Sequence, residues 1–171
     1  MTRLAAIVGP AAAGAVATAA MSVLMVAGAK AGMMGNQPPT VITRSALQAA
    51  GVDDPAVVAS RIAPAAHLAF GALAGMLFGF LRRIVPSVPG PILGVLFGLG
   101  VWGVSYRGWV PALGILPPPE RDRPGRPEVM VAAHLVFGLV LGVFVRSAPC
   151  RRSWSSISSR VPDDRDCRKA V

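Results

Sequence analysis

The stretch His67–Gly75, "HLAFGALAG", returns at His134–Gly142 as "HLVFGLVLG". Both read His-Leu-x-Phe-Gly-x-x-x-Gly, and the chain's two histidines each open one copy. Residues four apart share one face of a helix. His67, Gly71, Gly75 and Gly79 therefore form one stripe, and His134, Gly138 and Gly142 form another. No Asp, Glu, Lys or Arg interrupts either copy. Small residues at this spacing let helix backbones approach closely in lipid, where packing rather than hydrophobicity drives association. A third apolar block repeats the spacing with Gly90, Gly94 and Gly98, and the first offers Gly14 among many alanines.

Composition extends that reading to the whole chain. The 171 residues are 53% apolar and 15% charged, with a mean hydropathy of +0.57. Soluble domains carry about a quarter charged residues. Uncharged blocks cover 4–29, 64–81, 88–106 and 129–145, each close to the ~20 residues that cross a hydrocarbon core as a helix. Backbone groups in lipid must be satisfied within their own segment. The expected fold is thus all-α: a four-transmembrane-helix bundle over 1–149, outer loops at 30–63 and 107–128, and a disordered tail at 150–171. A secretory apolar region runs to about 15 residues, so the longer first block is expected to remain as a span.

Orientation follows from Lys and Arg. Arg82-Arg83 lies in the one short connection, and Arg146 with Arg151-Arg152 flanks the last block. The positive-inside rule then puts both termini in the cytoplasm. Trp102, Tyr106 and Trp109 close the third block, at the level where amphipathic rings meet the membrane–water interface. Pro111 and Pro117–Pro119 are expected to stop the helix there. In the first outer loop, Thr40 or Thr43 is read as the cap of a short amphipathic helix closed by Gly51. Asp54 and Pro55 then read as the cap and first residue of another.

The histidines lie fifteen residues before Arg82 and twelve before Arg146, about 18–22 Å along a helix from the inner ends. Three roles fit such an outer-third position. Each ring can be a packing residue bonded to a neighbouring carbonyl. The pair can titrate in acid. Or the pair can ligate a metal or the iron of a haem b, as in an electron-transfer subunit. No Ser/His/Asp or Cys/His set is visible and no acidic residue falls in a span, so neither catalysis nor an obligatory cofactor is expected. Cys150 and Cys167 lack metal-site spacing. The net charge of +9 comes without a basic helix carrying interleaved aromatics, which speaks against nucleic acid. The expected partners are the lipid bilayer and, for a transporter or channel component, further copies of the chain or other membrane proteins.

"GPAAAG" from Gly9 and "GPILG" from Gly90 open the first and third blocks, and a Pro-rich segment and a histidine helix follow each. This order reads as a duplicated helical hairpin, a form of internal repeat found in transporters. Residues 60–147, with "HLAFGALAGMLFGFLRR", "GPILGVLFGLGVWGVSYRGWVPALGILPPP" and "AHLVFGLVLGVFV" in that order, resemble small bacterial inner-membrane proteins of the YagU-like group. The resemblance implies a multi-pass protein of the bacterial cytoplasmic membrane connected with envelope or acid stress tolerance. It transfers no catalytic residue.

Overall fold

A computed structural model describes residues 5–145; the expected tail at 150–171, Arg146 and both cysteines lie outside them. The described chain is helical and contains no strand. Helix α1 spans Ala5–Lys30, α2 Pro38–Ala49, α3 Pro55–Ile84, α4 Gly90–Trp102, α5 Val110–Ala112 and α6 Arg126–Phe144. Three of these, α1, α3 and α6, are long and apolar enough to cross a membrane, not the four expected.

The third block is the exception for a local reason. Its α-helix ends at Trp102, and a π-helical segment continues from Gly103 to Trp109 before the single turn of α5. Proline inside an α-helix clashes with the carbonyl four residues earlier. The wider π turn lies directly ahead of Pro111, and Val110 N–H reaches back to Ser105 O in the five-residue step of that turn. The run is kinked at Gly108, whose backbone is non-helical (φ −97°, ψ −106°); a last helical turn includes Pro111, which was expected to stop the helix, and the chain leaves it at Gly114 with φ +68°.

Of the expected helix starts, one moves and one keeps its place. The first residue ahead of α2 is Gln37, not Thr40 or Thr43, because Pro38 and Pro39 suit the donor-free first turn. Asp54 does precede α3, but in the left-handed region (φ 49°) and without a side-chain cap bond. From Pro55 the helix then absorbs Pro64, the expected start of the span. The last helix begins at Arg126, and the expected start of its span, Val129, falls inside it.

Helices α1 and α3 pack antiparallel, as do α4 and α6, and α1 also lies along α6. A Cβ placed on Gly14 would meet Gly75 Cα at 2.8 Å, and one on Gly94 would meet Gly142 Cα at 2.8 Å. On α6, Gly138 and Gly142 abut the backbones of Val95 and Pro91. Gly71 faces Thr18, and Gly79 faces the Pro10 ring. Gly98 sits against the His134 carbonyl. Small residues thus line the contacts, while Val23, Leu73, Leu77, Phe80, Leu96 and Phe144 point outward. Soluble proteins rarely expose so much contiguous apolar surface, and the arrangement suits a bundle whose surroundings are lipid tails. Phe78 and Phe97, with ring centroids 5.3 Å apart, bridge the sparsely packed α3 and α4.

The two ends of the bundle are closed differently. At one, Arg82 is buried, and its Nη1 donates to Val85 O (3.2 Å), Pro86 O (3.3 Å) and Val88 O (2.8 Å). An arginine read only as an orientation charge therefore also ties down the α3–α4 turn. Charge-assisted bonds of this kind contribute about 1.5–3 kcal/mol each to partners that would otherwise lose a donor. Arg82→Met should lower unfolding stability in detergent by about 2 kcal/mol, measured by denaturant titration.

At the other end the two outer loops are linked. Arg126 Nε donates to Met34 O (2.8 Å), and its Nη1 pairs with Asp122 Oδ1 (2.7 Å). The Tyr106 hydroxyl donates to Asp122 Oδ2, while Arg123 Nη2 reaches Gly32 O at 3.3 Å. Asp122 thereby joins the π segment to the start of α6, and Arg126 carries the link on to the first loop. Arg107 and Glu120 form a further ion pair on the exposed rim.

Candidate functional site

Below that cap lies a cavity of about 250 Å³, and both histidines line it. His67 comes from α3 and His134 from α6, so helices from the two glycine-faced pairs meet there. Pro38, Pro39, Ile42 and Thr43 of α2 form one wall, and Ser105, Tyr106, Trp109 and Val110 of the π segment form another. Met21 and Met25 face it from α1, and Met130 from α6.

Each ring is held through Nδ1. His134 Nδ1 lies 2.7 Å from Met130 O, and a carbonyl only accepts, so Nδ1 carries the proton. His67 Nδ1 lies 3.3 Å from Ser22 Oγ. The Ser22 hydroxyl already donates to Thr18 O at 2.8 Å, so its oxygen accepts from the imidazole. Both neutral rings are therefore Nδ1–H tautomers with a lone pair on Nε2. Among the described residues only Arg82 Nε and Trp102 Nε1 are sealed side-chain atoms without partners. Among the described residues neither Nε2 has a bonded partner, and both histidines line the cavity. Two of the lining hydroxyls are engaged elsewhere: Ser105 donates to Val101 O at 2.6 Å and Tyr106 to Asp122.

Of the residues singled out by sequence, Tyr106 is buried at the cavity wall, Trp109 is partly exposed beside it, and Trp102 packs against the core. The rings of Trp102 and Tyr106 lie 6.4 Å apart. Gly71, Gly75, Gly138 and Gly142 sit below the histidines in the helix contacts and outside the cavity lining. Among the described residues no group of three or more His, Cys, Asp or Glu could hold a metal. The sequence reading passed over Met21, Met25, Met130 and Ser22. Their signal was spacing: Met21 and Met25 are four apart, as are Met130 and His134, so each pair shares a helix face.

The model of a family described as "Family of unknown function (DUF6789)" matches residues 4–154, and the chain belongs to that family. No curated protein and no solved structure gives a significant match. Nothing in the family match points to the YagU-like group or to a bacterial source.

Proposed function

We propose that this DUF6789 protein is a non-enzymatic, four-span protein of a bacterial cytoplasmic membrane that holds a small ligand in the cavity between His67 and His134. The fourth span is α4 with its π-helical continuation, Gly90–Trp109, whose helical rise is of the order of a hydrocarbon core. Both termini are cytoplasmic, the side on which the short Arg82-Arg83 connection lies. The cavity then opens to the outer face. The two like helix pairs, α1 with α3 and α4 with α6, support a duplicated hairpin. The YagU-like resemblance is the ground for reading its role as a contribution to envelope or acid stress tolerance.

One observation carries the ligand reading: two imidazoles from different helices, each tethered through Nδ1, line one largely apolar cavity. Ligand sites are typically apolar concavities with a few convergent polar groups. At about 250 Å³, this one lies just under the ~300–1,000 Å³ typical of small-molecule pockets, which favours an ion or small molecule over a haem b macrocycle.

Thiol labelling tests the reading. Ser105→Cys, in a Cys150→Ser/Cys167→Ser background, places a near-isosteric thiol on the cavity wall. Small methanethiosulfonates applied from the outer face should modify it, and a bulky one should not. Labelling only from the cytoplasmic side would overturn the orientation, and equal labelling by small and bulky reagents would overturn a cavity of limited size.

A further inference from the structure

Two imidazoles lining a largely apolar cavity, each with an unprotonated Nε2, suit a ligand that accepts a lone pair, and the remaining lining narrows which one. We infer that the cavity is a site for a soft monovalent metal cation of the Cu(I) class, held by Nε2 of His67 and His134 with thioether sulfur from Met21, Met25 and Met130. This deepens the ligand reading above and rests on it.

Softness is the first argument. Thioether donors select Cu(I) among the first-row metals and imidazole accommodates it, whereas carboxylate and water suit harder ions. Three of the chain's seven methionines line the same cavity as its only two histidines. Methionine has three rotatable bonds, so these sulfurs can close around an ion without displacing the helices that carry them.

Charge is the second. No carboxylate and no thiolate lines the cavity. A divalent ion on neutral donors would bury two uncompensated charges, and burying charge without a partner is costly. A monovalent ion buries one. Asp122, bonded to the cavity-lining Tyr106, already pairs with Arg126.

The third argument is the tethering of the rings. Metal-bound histidines usually donate their other N–H to a carbonyl, carboxylate or similar acceptor, which fixes ring and tautomer. His134 does this to Met130 O, and His67 to Ser22 Oγ. Met130 serves twice, offering its carbonyl to His134 and its side chain to the cavity. An ordinary packing histidine has no need of a free nitrogen beside a cavity lined by three methionines.

The test uses the full chain in detergent, anaerobically, with Cys150 and Cys167 alkylated so that no thiol competes. Cu(I) is titrated against a chromophoric chelator, and Ag(I) serves as a redox-inert analogue. One ion per chain is expected, with sulfur and nitrogen scatterers in its X-ray absorption spectrum. His67→Gln, His134→Gln and Met130→Leu should each weaken retention by more than tenfold, and Ser22→Ala by about tenfold through the untethered ring. Met130→Leu conserves volume and is expected to stay folded, so a loss there is a loss of ligand. Retention unchanged in the His67→Gln/His134→Gln double variant, or tighter binding of Zn(II) than of Cu(I), would overturn the site. A Ser105→Cys cavity that labels normally while the protein takes up neither Cu(I) nor Ag(I) would overturn the metal and leave the ligand-binding reading standing.

Discussion

Gly138→Ala is expected to separate α4 from α6, whereas Gly100→Ala should leave the protein as stable as before or slightly more so. Alanine is the better helix former by about 0.5–1 kcal/mol, so local propensity predicts a gain at both positions. Packing reverses the sign at one of them. A Cβ on Gly138 would lie 2.8 Å from Gly94 C and 3.0 Å from Val95 Cα, well inside the ~3.5–4.0 Å optimum for carbon–carbon contact. Every atom it meets is backbone, so no rotamer change relieves the overlap. The helices must move apart, and the close contacts at Gly94, Gly98 and Gly142 loosen together. Overpacking costs about 1–3 kcal/mol where side chains can adjust and more where they cannot; about 3 kcal/mol or above is expected here. A Cβ on Gly100, two residues beyond Gly98 on α4, meets nothing within 4 Å. Unfolding of both variants by denaturant in micelles checks the contrast, and equal stability would mean that α4 and α6 do not touch through Gly138.

Asp122→Ala should be the most damaging change in the outer cap. The Asp122 and Arg126 side chains are 2% and 9% exposed, so this is a buried ion pair and not a surface one. Removing one partner of a buried pair costs about 3–5 kcal/mol, because the other charge is left uncompensated. Arg126 would keep only its bond to Met34 O, and Tyr106 would lose its acceptor. The double variant Asp122→Ala/Arg126→Met removes the stranded charge and is expected to recover part of the loss. Denaturant titrations of the two single variants and the double variant give the coupling between the residues. Additive losses would show that the pair is solvated and the cap open. Tyr106 and Val110 line the cavity, so the cap variant should also admit the bulky thiol reagent at Ser105→Cys.

Much of this architecture could be read from spacing. Glycines four apart marked the faces that pack, and the uncharged blocks marked α1, α3 and α6. The third block was legible only in part. Hydropathy reports that Gly90–Tyr106 is apolar, but it cannot report that the backbone widens ahead of Pro111. The cavity was half legible: both histidines could be placed near one end, since each heads a glycine stripe. Ser22 and the three methionines could not, because a methionine in an apolar helix looks the same whether it fills a core or faces a cavity.

The sequence by itself determined which residues form helices and which faces are small, because both depend on neighbours within a turn or two. Partner choice belonged to the tertiary structure. That α1 takes α3 while α4 takes α6 depends on backbones separated by dozens of residues meeting at Gly14 and Gly75, and at Gly94 and Gly142. The same holds for Arg82, whose charge was legible but whose three carbonyl acceptors exist only once the 85–88 turn has folded back. It holds most of all for the histidines. Their repeat was visible at once, but the nitrogen each leaves free was decided by Ser22 on a neighbouring helix and Met130 one turn away, since a proton goes where an acceptor has been brought within reach.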